Sequence, residues 1–447
     1  MNAISVTRMP VDPGISGWDA ILPEPQRYSA LEENRNCDWL VIGGGFAGLA
    51  AARRLQQLHP RDKITLLEAR HIAEGPAGRN SGFMIDLPHD LTSDEYTGAL
   101  DKDRKQIEMN RAAIDFAGEA AAEFEFPEEA FVRSGKINAA ASRKGIQHNQ
   151  HYAEHLNRLG EAHDMLDAKQ MQAICGSDYY LGGLYTPGAA MLQPALFIRS
   201  IAAGIASKGV SIHENSPVSD LQKLDGDWIA KTPLGSIRAP KVITAVNGHI
   251  ESFGFFKRRL MHIYLYASMT EALHKDEEQK LGGEATWGFT PSDPLGTTVR
   301  KISGIGGSRI VVRNSFTWSP SRSVDDNRAQ KFARSHDRSF HTRFSMLDGV
   351  KMQYRWGGLL CLSWNGEAAF GEIDNNLYSA CCQNGLGTAR GTLSGMLAAE
   401  LASGIKSKHL DEYLNQSDPS RLPPEPFASI GANAYLHWGQ FKAGKDF

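Results

Sequence analysis

The chain has 447 residues, of which 41% are hydrophobic and 22% charged, a composition typical of a globular protein with a sizeable core. Lys and Arg (48) nearly balance Asp and Glu (51), so the formal net charge of −3 gives no reason to expect a nucleic-acid-binding surface. No apolar run has the length of a membrane span, and no secretory signal is visible. Five cysteines without a CxxC pair argue against a zinc or disulfide framework and favour a reduced, cytoplasmic protein.

A glycine-rich loop follows the first predicted strand of the chain. Residues 37–42 (CDWLVI) predict a strand buried in a parallel sheet, and the next residues, GGGFAG, run into a predicted helix, LAAARRLQQL. In this setting Gly43 permits a tight turn, Gly45 lets the backbone approach a pyrophosphate, and Gly48 allows the helix to pack closely on the strand. A second apolar strand ends at Glu68, where a carboxylate accepts hydrogen bonds from ribose hydroxyls. This order of elements predicts a dinucleotide-binding fold.

A second glycine-rich segment, EGPAGRNSGFM, comes shortly after that strand and distinguishes between dinucleotides. Here the chain resembles the D-amino-acid-oxidase-like superfamily of FAD-dependent amine oxidoreductases, which includes glycine oxidase, sarcosine oxidase and gamma-glutamylputrescine oxidoreductase. In that family a GxSGRNxG-like loop runs beneath the flavin ring and pyrophosphate, and residues 78–82 (GRNSG) are similar to it. The resemblance therefore implies FAD as the cofactor.

The resemblance continues along most of the chain. Residues 183–188 (GLYTPG) are similar to the segment that precedes the family's central helix, and Val218 matches a valine whose backbone meets the adenine. Residues 242–248 (VITAVNG) resemble a strand end near the FAD, at Ala245. Further on, an apolar strand leads into QNGLGT, a second glycine loop that in the family meets the pyrimidine edge of the flavin. The N-terminus of the following helix would stabilise negative charge on the reduced flavin.

The FAD-binding residues implied by the resemblance come from all of these segments. They are Gly43, Gly45, Phe46, Ala47, Gly48, Glu68, Ala69, Arg70, Gly78, Arg79, Asn80, Ser81, Gly82, Val218, Ala245, Gly385, Leu386, Gly387 and Thr388.

The predicted fold is α/β, with a doubly wound, Rossmann-like FAD-binding domain interleaved with an α+β substrate domain that carries an antiparallel sheet. The antiparallel sheet is expected to roof the substrate cavity over the flavin. The expected divisions are an irregular N-terminal extension (1–36), a discontinuous FAD-binding domain (37–91, 180–250 and 355–410), a substrate or cap domain (92–179 and 251–354) and a C-terminal tail (411–447).

The family resemblance implies that the enzyme oxidises the C–N bond of a primary or secondary amine, such as an amino acid or a gamma-glutamylated amine, to an imine by hydride transfer to the flavin. In such enzymes the protein mainly positions the substrate, so we assign no acid–base residue. The candidates for the cavity wall come from the expected roof strands and the last glycine loop. They are His262, Tyr264, Tyr266, Arg313, Trp356, Gln383 and Asn384.

Two of these candidate groups have a second interpretation. Alternation places His262, Tyr264 and Tyr266 on one face of a strand, which is equally typical of a packed core. Arg313 is suited to binding a substrate carboxylate bidentately, but an arginine on an edge strand is more often solvated.

Cys361 lies in a segment that resembles the place where monomeric sarcosine oxidase carries a cysteine joined covalently to FAD. A plain buried thiol is the favoured interpretation, with covalent attachment as the alternative. That branch of the family also uses a roof lysine to activate oxygen, and the matching strand here, 309–313 (RIVVR), has none. The sequence therefore leaves open whether oxygen or another carrier accepts the electrons.

Other classes of function are less well supported by the sequence. His148, His151 and His155 share one helical face, but on a polar helix a solvated face is favoured, and no metal site is predicted. No hydrolase elbow, zincin motif or P-loop is present. A flavoprotein hydroxylase and a maturation partner that acts on a protein residue stay as alternatives, since one fold serves many functions.

Overall fold

The structure is a computed structural model that describes residues 4–88 and 100–447. Within these residues the strands assemble into four sheets. In chain order the strands are β1 (Ile4–Ser5), β2 (Asn34–Asn36), β3 (Trp39–Ile42), β4 (Ile64–Leu67), β5 (Phe83–Met84), β6 (Lys136–Ala140), β7 (Asp164–Asp167), β8 (Gly182–Thr186), β9 (Ala190–Met191), β10 (Ser211–His213), β11 (Asp220–Leu224), β12 (Asp227–Lys231), β13 (Ser236–Ala239), β14 (Lys241–Thr244), β15 (Leu260–Thr270), β16 (Trp287–Pro291), β17 (Thr298–Ile302), β18 (Arg309–Trp318), β19 (Met352–Ser363), β20 (Ala369–Asp374) and β21 (Leu377–Cys381). The α-helices are α1 (Gly17–Ala20), α2 (Phe46–Leu58), α3 (Leu100–Glu123), α4 (Arg143–Leu159), α5 (Ala168–Cys175), α6 (Pro194–Ser207), α7 (Lys275–Leu281), α8 (Ala333–Arg343), α9 (Gly387–Ala402), α10 (Lys408–Leu414) and α11 (Phe427–Ala443).

A six-stranded sheet with the order β10-β4-β3-β14-β21-β20 forms the centre of the first domain, and all its strands are parallel except β20. Strands β3 and β4 are wholly buried, which explains their unbroken apolar sequences. Because alternate residues point to opposite faces, Trp39 and Val41 pack with helices α2, α6 and α9. Leu40 and Ile42 pack instead against the sheet β1-β11-β12-β13-β2 on the other face.

The second domain is built on an eight-stranded sheet with the order β19-β15-β18-β17-β16-β6-β8-β7. Its neighbours are antiparallel except for the pair β16 and β6. Helices α4, α5 and α8 contact this sheet, whose core includes the aromatic rings of Trp287, Phe289, Phe340 and Phe344. A Rossmann-like parallel sheet joined to an antiparallel sheet confirms the predicted fold class.

Some strands lie in a layer other than the one their segments predict. Strand β8 and most of β19 fall in segments assigned to the FAD-binding domain, but both belong to the eight-stranded sheet. Strand β8 pairs with β6 and β7, and β19 pairs with β15 along its length, partners that a local hydrophobic pattern does not specify. The predicted boundary between 91 and 92 lies outside the described residues, and the other boundaries stay predictions.

The two ends of the chain contain regular elements. In the N-terminal extension, expected to be irregular, β1 pairs with β11, β2 pairs with β13, and α1 buries Trp18. In the C-terminal tail, α11 contacts β18. No helix in residues 4–88 and 100–447 combines the length and apolar character needed to cross a bilayer.

Candidate active site

A cavity of about 400 Å³ lies where the carboxyl ends of the parallel strands face the eight-stranded sheet. One side of its wall is made by residues that follow β3, β4, β14 and β21, and the other side by residues of β15, β17, β18 and β19. In open α/β sheets, ligands bind outside the carboxyl ends of the strands. The position of the cavity therefore indicates the functional site.

The glycine loop after β3 forms part of this wall, and its lining residues are Gly43, Gly45, Phe46 and Ala47. Gly48 lies behind them, and a Cβ there would lie 1.7 Å from the Gly43 carbonyl oxygen, so glycine allows α2 to approach the strand this closely. Gly43 has a φ of +108°, a conformation that side chains disfavour. Helix α2 begins without a side-chain cap, which leaves its first N–H groups and positive dipole end for a ligand.

Glu68 follows β4 and lines the cavity with Ala69 and Arg70. Its Oε2 accepts a hydrogen bond from the Gly44 N–H at 2.8 Å, and its Oε1 accepts one from the Arg70 N–H at 3.0 Å. Burial raises the pKa of this carboxyl above its ordinary value. Glu68 therefore fixes the first glycine loop as well as facing the cavity, and its contact with a ribose stays a prediction.

The GRNSG loop also forms part of the wall, through Arg79, Asn80, Ser81 and Gly82. Gly78 lies behind it, where a Cβ would lie 2.0 Å from a backbone oxygen. The Asn80 side chain closes the loop, because its Oδ1 accepts the Gly82 N–H at 2.8 Å. The Arg79 guanidinium donates to backbone carbonyls at 2.6–3.2 Å, so it braces the loop against neighbouring segments.

The second glycine loop lies at the end of β21 and contributes Gly385, Leu386, Gly387 and Thr388 to the wall. Helix α9 begins at Gly387, again without a side-chain cap. Its first N–H groups therefore add a second positive dipole end to the cavity.

Gln383 and Asn384 are neighbours in this loop, but only Gln383 lines the cavity. Gln383 Nε2 donates to the Ala380 oxygen at 3.0 Å and to Ser394 Oγ at 2.9 Å, while its buried Oε1 has no partner among the described residues. Asn384 has a φ of +49°, and its Oδ1 accepts the Ser363 N–H at 2.7 Å. Gln383 therefore offers a free acceptor to a ligand, whereas Asn384 holds the turn.

These features fit FAD. Two helices begin at the cavity without side-chain caps, and nearby glycines lie where a Cβ would clash with backbone atoms. Together they provide a trough of backbone N–H groups suited to a pyrophosphate. Val218, predicted to meet the adenine, and Ala245, predicted at a strand end near the FAD, lie in the same wall. Of the residues predicted to bind FAD, only Gly48 and Gly78 do not line the cavity, and both support it from behind.

Two arginines of the eight-stranded sheet reach the cavity from adjacent strands, Arg300 on β17 and Arg313 on β18. Burial lowers the pKa of each guanidinium to about 10. Arg300 Nη1 donates to the carbonyl oxygens of Ser81 at 3.0 Å and Leu192 at 2.6 Å, and Arg313 Nε donates to Ser81 Oγ at 3.3 Å. Within the described part of the chain, neither arginine pairs with a carboxylate, and both Nη groups of Arg313 lack a partner.

The expectation that Arg313 lies on an edge strand is wrong. Strand β18 lies between β15 and β17, so Arg313 is in the interior of the sheet, and its half-buried side chain lines the cavity. A guanidinium without a carboxylate partner in a largely apolar wall favours the binding of an anion. This location favours a ligand-binding role over simple solvation.

His262 and Tyr264 lie outside the cavity, in the packed interior. The Tyr264 hydroxyl donates a hydrogen bond to the carbonyl oxygen of Val11 at 2.7 Å. The carbonyl oxygen of Arg322 is a second acceptor, 3.1 Å from the same hydroxyl. His262 Nε2 lies 2.9 Å from a carboxylate oxygen of Glu251. The N-terminal extension, the loop after β18 and the segment between β14 and β15 supply these partners, which alternation along β15 does not reveal.

Tyr266 and Trp356 lie closer to the cavity, but only Tyr266 lines it. The Tyr266 hydroxyl donates to Thr317 Oγ1 at 3.1 Å. Trp356 is buried, and its Nε1–H donates to the Arg79 carbonyl oxygen at 3.0 Å. Trp356 therefore supports the GRNSG loop from behind.

Cys361 lines the cavity and is fully buried. A hydrogen bond with the Cys382 thiol and burial raise the pKa of Cys361 well above its ordinary value. A protonated thiol is a poor nucleophile, which favours the buried-thiol interpretation. Covalent attachment of FAD at Cys361 stays a prediction.

The histidines of α4 are not gathered into a metal site. His155 is buried, and its Nε2 lies 2.8 Å from Asp103 Oδ2. Over residues 4–88 and 100–447, no group of three or more His, Cys, Asp or Glu side chains is placed to hold a metal ion.

Arg300 and the N-terminal extension also contribute to the cavity, although the sequence predicts neither. Arg300 lies in the strand TVRKI, where an arginine among strand-forming residues was the available signal. The N-terminal extension supplies Arg8, Met9, Pro10 and Trp18 to the wall. No motif marks these residues, because their positions depend on contacts with distant strands.

Comparisons with known proteins agree with this geometry. The family model described as FAD dependent oxidoreductase (DAO) matches residues 38–401. The chain is 25% identical over 418 residues to the probable oxidoreductase OrdL of Rhizobium meliloti (strain 1021), covering 90% of this chain and 91% of that protein. It is also 25% identical over 416 residues to gamma-glutamylputrescine oxidoreductase of Escherichia coli (strain K12), covering 91% and 94%. Glycine oxidase from Geobacillus kaustophilus shares the fold, with a TM-score of 0.68 at 16% identity over 87% of this chain and 100% of that one.

The family match spans most of the chain, including both glycine loops. It confirms the resemblance found in the sequence and, with the backbone trough described above, the cofactor. The chain belongs to the DAO family of FAD-dependent oxidoreductases.

Proposed function

We propose that this enzyme oxidises the C–N bond of a primary or secondary amine that also carries a carboxylate, such as an amino acid or a gamma-glutamylated amine, to an imine. The observation that carries the proposal is the unpaired Arg313 guanidinium in the cavity wall. Its two free Nη groups match the two oxygens of a carboxylate. The relative named gamma-glutamylputrescine oxidoreductase supports an amine substrate.

The charge of the cavity wall favours an anionic or zwitterionic substrate. Arg300 lies beside Arg313, and the only acidic residue in the described wall is Glu68, on the nucleotide side. A diamine without a carboxylate would therefore place a second positive charge near the buried Arg300 and the half-buried Arg313. A carboxylate-bearing amine offsets the buried charge instead.

The rest of the described wall near Arg313 is largely apolar and includes Leu265, Phe316 and Leu360. Such a wall limits access of water to the reacting carbon, and a carboxylate held by Arg313 fixes the orientation of the amine. FAD, when bound, supplies the hydride acceptor. Water then hydrolyses the imine to a carbonyl compound and an amine or ammonia.

The electron acceptor in the second half of the reaction is oxygen or another carrier. The cationic residues of the described wall near the roof are arginines, and no lysine lines it. Rates of reoxidation of the reduced enzyme by oxygen and by an artificial acceptor would distinguish an oxidase from a dehydrogenase.

Anaerobic reduction of the flavin tests the proposal. Matched pairs of amines, one member with the carboxylate and one decarboxylated, are mixed with the holoenzyme while flavin absorbance is followed. We expect bleaching by at least one carboxylate-bearing amine, and reduction roughly 100-fold slower by its decarboxylated partner. Equal rates within pairs, or no bleaching across the panel, would contradict it. Rapid bleaching by NADPH alone would favour a hydroxylase.

A further inference from the structure

We propose that residues 6–18, here called the N-terminal strap, close the cofactor cavity, and that Asp12 is the positioning residue that fastens the strap and retains FAD. The proposal requires FAD as the cofactor but is independent of the substrate. The strap precedes the part of the chain that the family model matches, which begins at residue 38.

The strap runs from the first domain to the second across the cavity. At its start, the Val6 N–H donates to the carbonyl oxygen of Ser219 at 2.8 Å, beside the sheet that covers one face of the parallel strands. Further along, the Gly357 N–H on β19 donates to the Pro13 oxygen at 2.9 Å. Between these anchors, side chains of the strap form part of the cavity wall.

Asp12 joins both sides of the cavity through one carboxylate. Its side chain is only 2% exposed, and its Oδ2 lies 2.6 Å from Arg70 Nη2 on the nucleotide side. Its Oδ1 accepts the N–H of Leu359 at 3.3 Å, on β19 of the roof. Arg70 and Leu359 both line the cavity. Loss of the carboxylate therefore weakens the attachment of the strap to both walls at once.

Arg79 provides a second fastening for the same segment. Its Nη1 donates to the carbonyl oxygens of Pro13 at 3.1 Å and Gly14 at 2.8 Å. Arg79 belongs to the GRNSG loop, and its electrostatic surroundings include Asp12. The loop expected beneath the flavin is thus braced by the strap.

Gly14 fixes the path of the strap. It has a φ of +74°, and a Cβ there would lie 2.3 Å from the Arg355 carbonyl oxygen. The strap therefore lies directly against β19, with no room for a larger residue at this position. Because the strap covers the cavity between two domains, it must move before a bulky dinucleotide enters or leaves.

Release of FAD from the holoenzyme tests the role of Asp12. The variant Asp12→Asn keeps the size of the side chain and removes the charge that binds Arg70. We expect FAD to dissociate at least about tenfold faster into cofactor-free buffer, followed by flavin fluorescence, with far-UV circular dichroism unchanged. The visible circular dichroism of the bound flavin should also change, which a merely structural role would not produce.

Asp19→Asn is the matched control. Asp19 lies just beyond the strap and pairs with Arg199 at the same distance, 2.6 Å, but Arg199 does not line the cavity. FAD should dissociate from the Asp19→Asn enzyme at the same rate as from the parent enzyme. Equal acceleration in both variants, or a rate within twofold of the parent in a folded Asp12→Asn enzyme, would overturn the proposal.

A measurement on the unaltered enzyme covers the case in which Asp12→Asn does not fold. Hydrogen–deuterium exchange of the strap amides should be faster in the apoprotein than in the holoenzyme. Identical exchange in the two forms would overturn the proposal. FAD that stays with acid-precipitated protein would do so as well, since a covalent bond would then retain the cofactor.

Discussion

The two sides of the cavity are built in different ways. On the nucleotide side, short runs of consecutive residues supply the wall, and nearly every residue predicted to bind FAD lies there. On the roof side, the wall is assembled from several strands of the eight-stranded sheet, and the predicted candidates divide. Tyr266 and Arg313 line the cavity, whereas His262, Tyr264 and Trp356 do not.

This difference follows from the range of the interactions that place each residue. A glycine loop carries its turn, its backbone N–H groups and its helix start within a few residues, so its sequence predicts its geometry. The exposure of a roof residue depends on what covers its strand, and the covering segments here are far away in the chain. The contacts of Tyr264 with Val11 and Arg322 show this directly.

The largest expected effect is on the nucleotide side. Substitution Gly48→Val places side-chain atoms where even a Cβ would lie 1.7 Å from the Gly43 oxygen. Because α2 must move away from β3, we expect a loss of about 3 kcal/mol or more in the free energy of unfolding and little FAD in the purified protein. Urea unfolding and the ratio of flavin to protein absorbance measure both.

Gly431→Ala is the matched control for that substitution. Gly431 lies on α11, and among residues 4–88 and 100–447 no atom beyond its chain neighbours and its own helix backbone lies within 4 Å of the position of its Cβ. The free energy of unfolding of Gly431→Ala should be equal to or slightly above that of the parent, because alanine favours a helix. If Gly48→Val retained FAD and stability, the nucleotide side would not depend on its local motif.

On the roof side, Arg313→Gln tests whether one isolated residue carries substrate binding. We expect kcat/KM for a carboxylate-bearing amine to fall about 100-fold, ~3 kcal/mol, with FAD content unchanged. Arg309→Gln is the control, since Arg309 lies on the same strand but donates to the Thr270 oxygen at 2.7 Å, outside the cavity. An equal fall in both variants would show that the effect comes from the sheet and not from the site.

The roof also contains a pH-sensitive group, His336 on α8. Its ring is buried beside Ser268 of β15, with Nδ1 and Oγ 2.6 Å apart, and burial lowers the pKa of His336 to about 4. Below about pH 6.5 the unfolded chain binds a proton that the folded protein does not. The free energy of unfolding therefore falls as the pH drops from about 6.5 to about 4, by ~3 kcal/mol from this residue.

Urea unfolding at about pH 7.5 and about pH 5 measures this contribution. His336→Gln should lose less stability between the two pH values than the parent does. His151→Gln, at an exposed position, should keep the parent's pH dependence. A parallel loss in His336→Gln and the parent would contradict the assignment.

The smallest effect should separate two tyrosines of one strand. Tyr264→Phe removes the hydrogen bond to Val11 and should lower the free energy of unfolding by ~1 kcal/mol without changing turnover at saturating FAD. Tyr266→Phe alters a side chain in the cavity wall and should change KM for the amine. If Tyr264→Phe changed turnover and Tyr266→Phe left the kinetics unchanged, the assignment of cavity and core on β15 would be reversed.

The sequence predicts the fold class and the nucleotide side of the site, because periodicity and glycine spacing are local. It does not predict that β19 pairs with β15, since the choice of strand partner is a long-range one. Arg300 is missed because its cavity position depends on which face of β17 is covered. Asp12 is missed because a single aspartate in an irregular segment carries no pattern, and only its contacts with Arg70 and Leu359 give it a role.

The order of strands in the parallel sheet has a consequence for how the enzyme is made. Strand β3 pairs with β14, about 200 residues later, and β14 pairs with β21, more than about 100 residues further on. Strand β3 also pairs with β4, which follows it closely, but at a synthesis rate of roughly 5–20 residues per second its second partner, β14, is translated ~10–40 s later. The first glycine loop thus leaves the ribosome before its sheet is complete. The wall of the FAD cavity includes residues that follow β14 and β21, so it can form in full only late in synthesis.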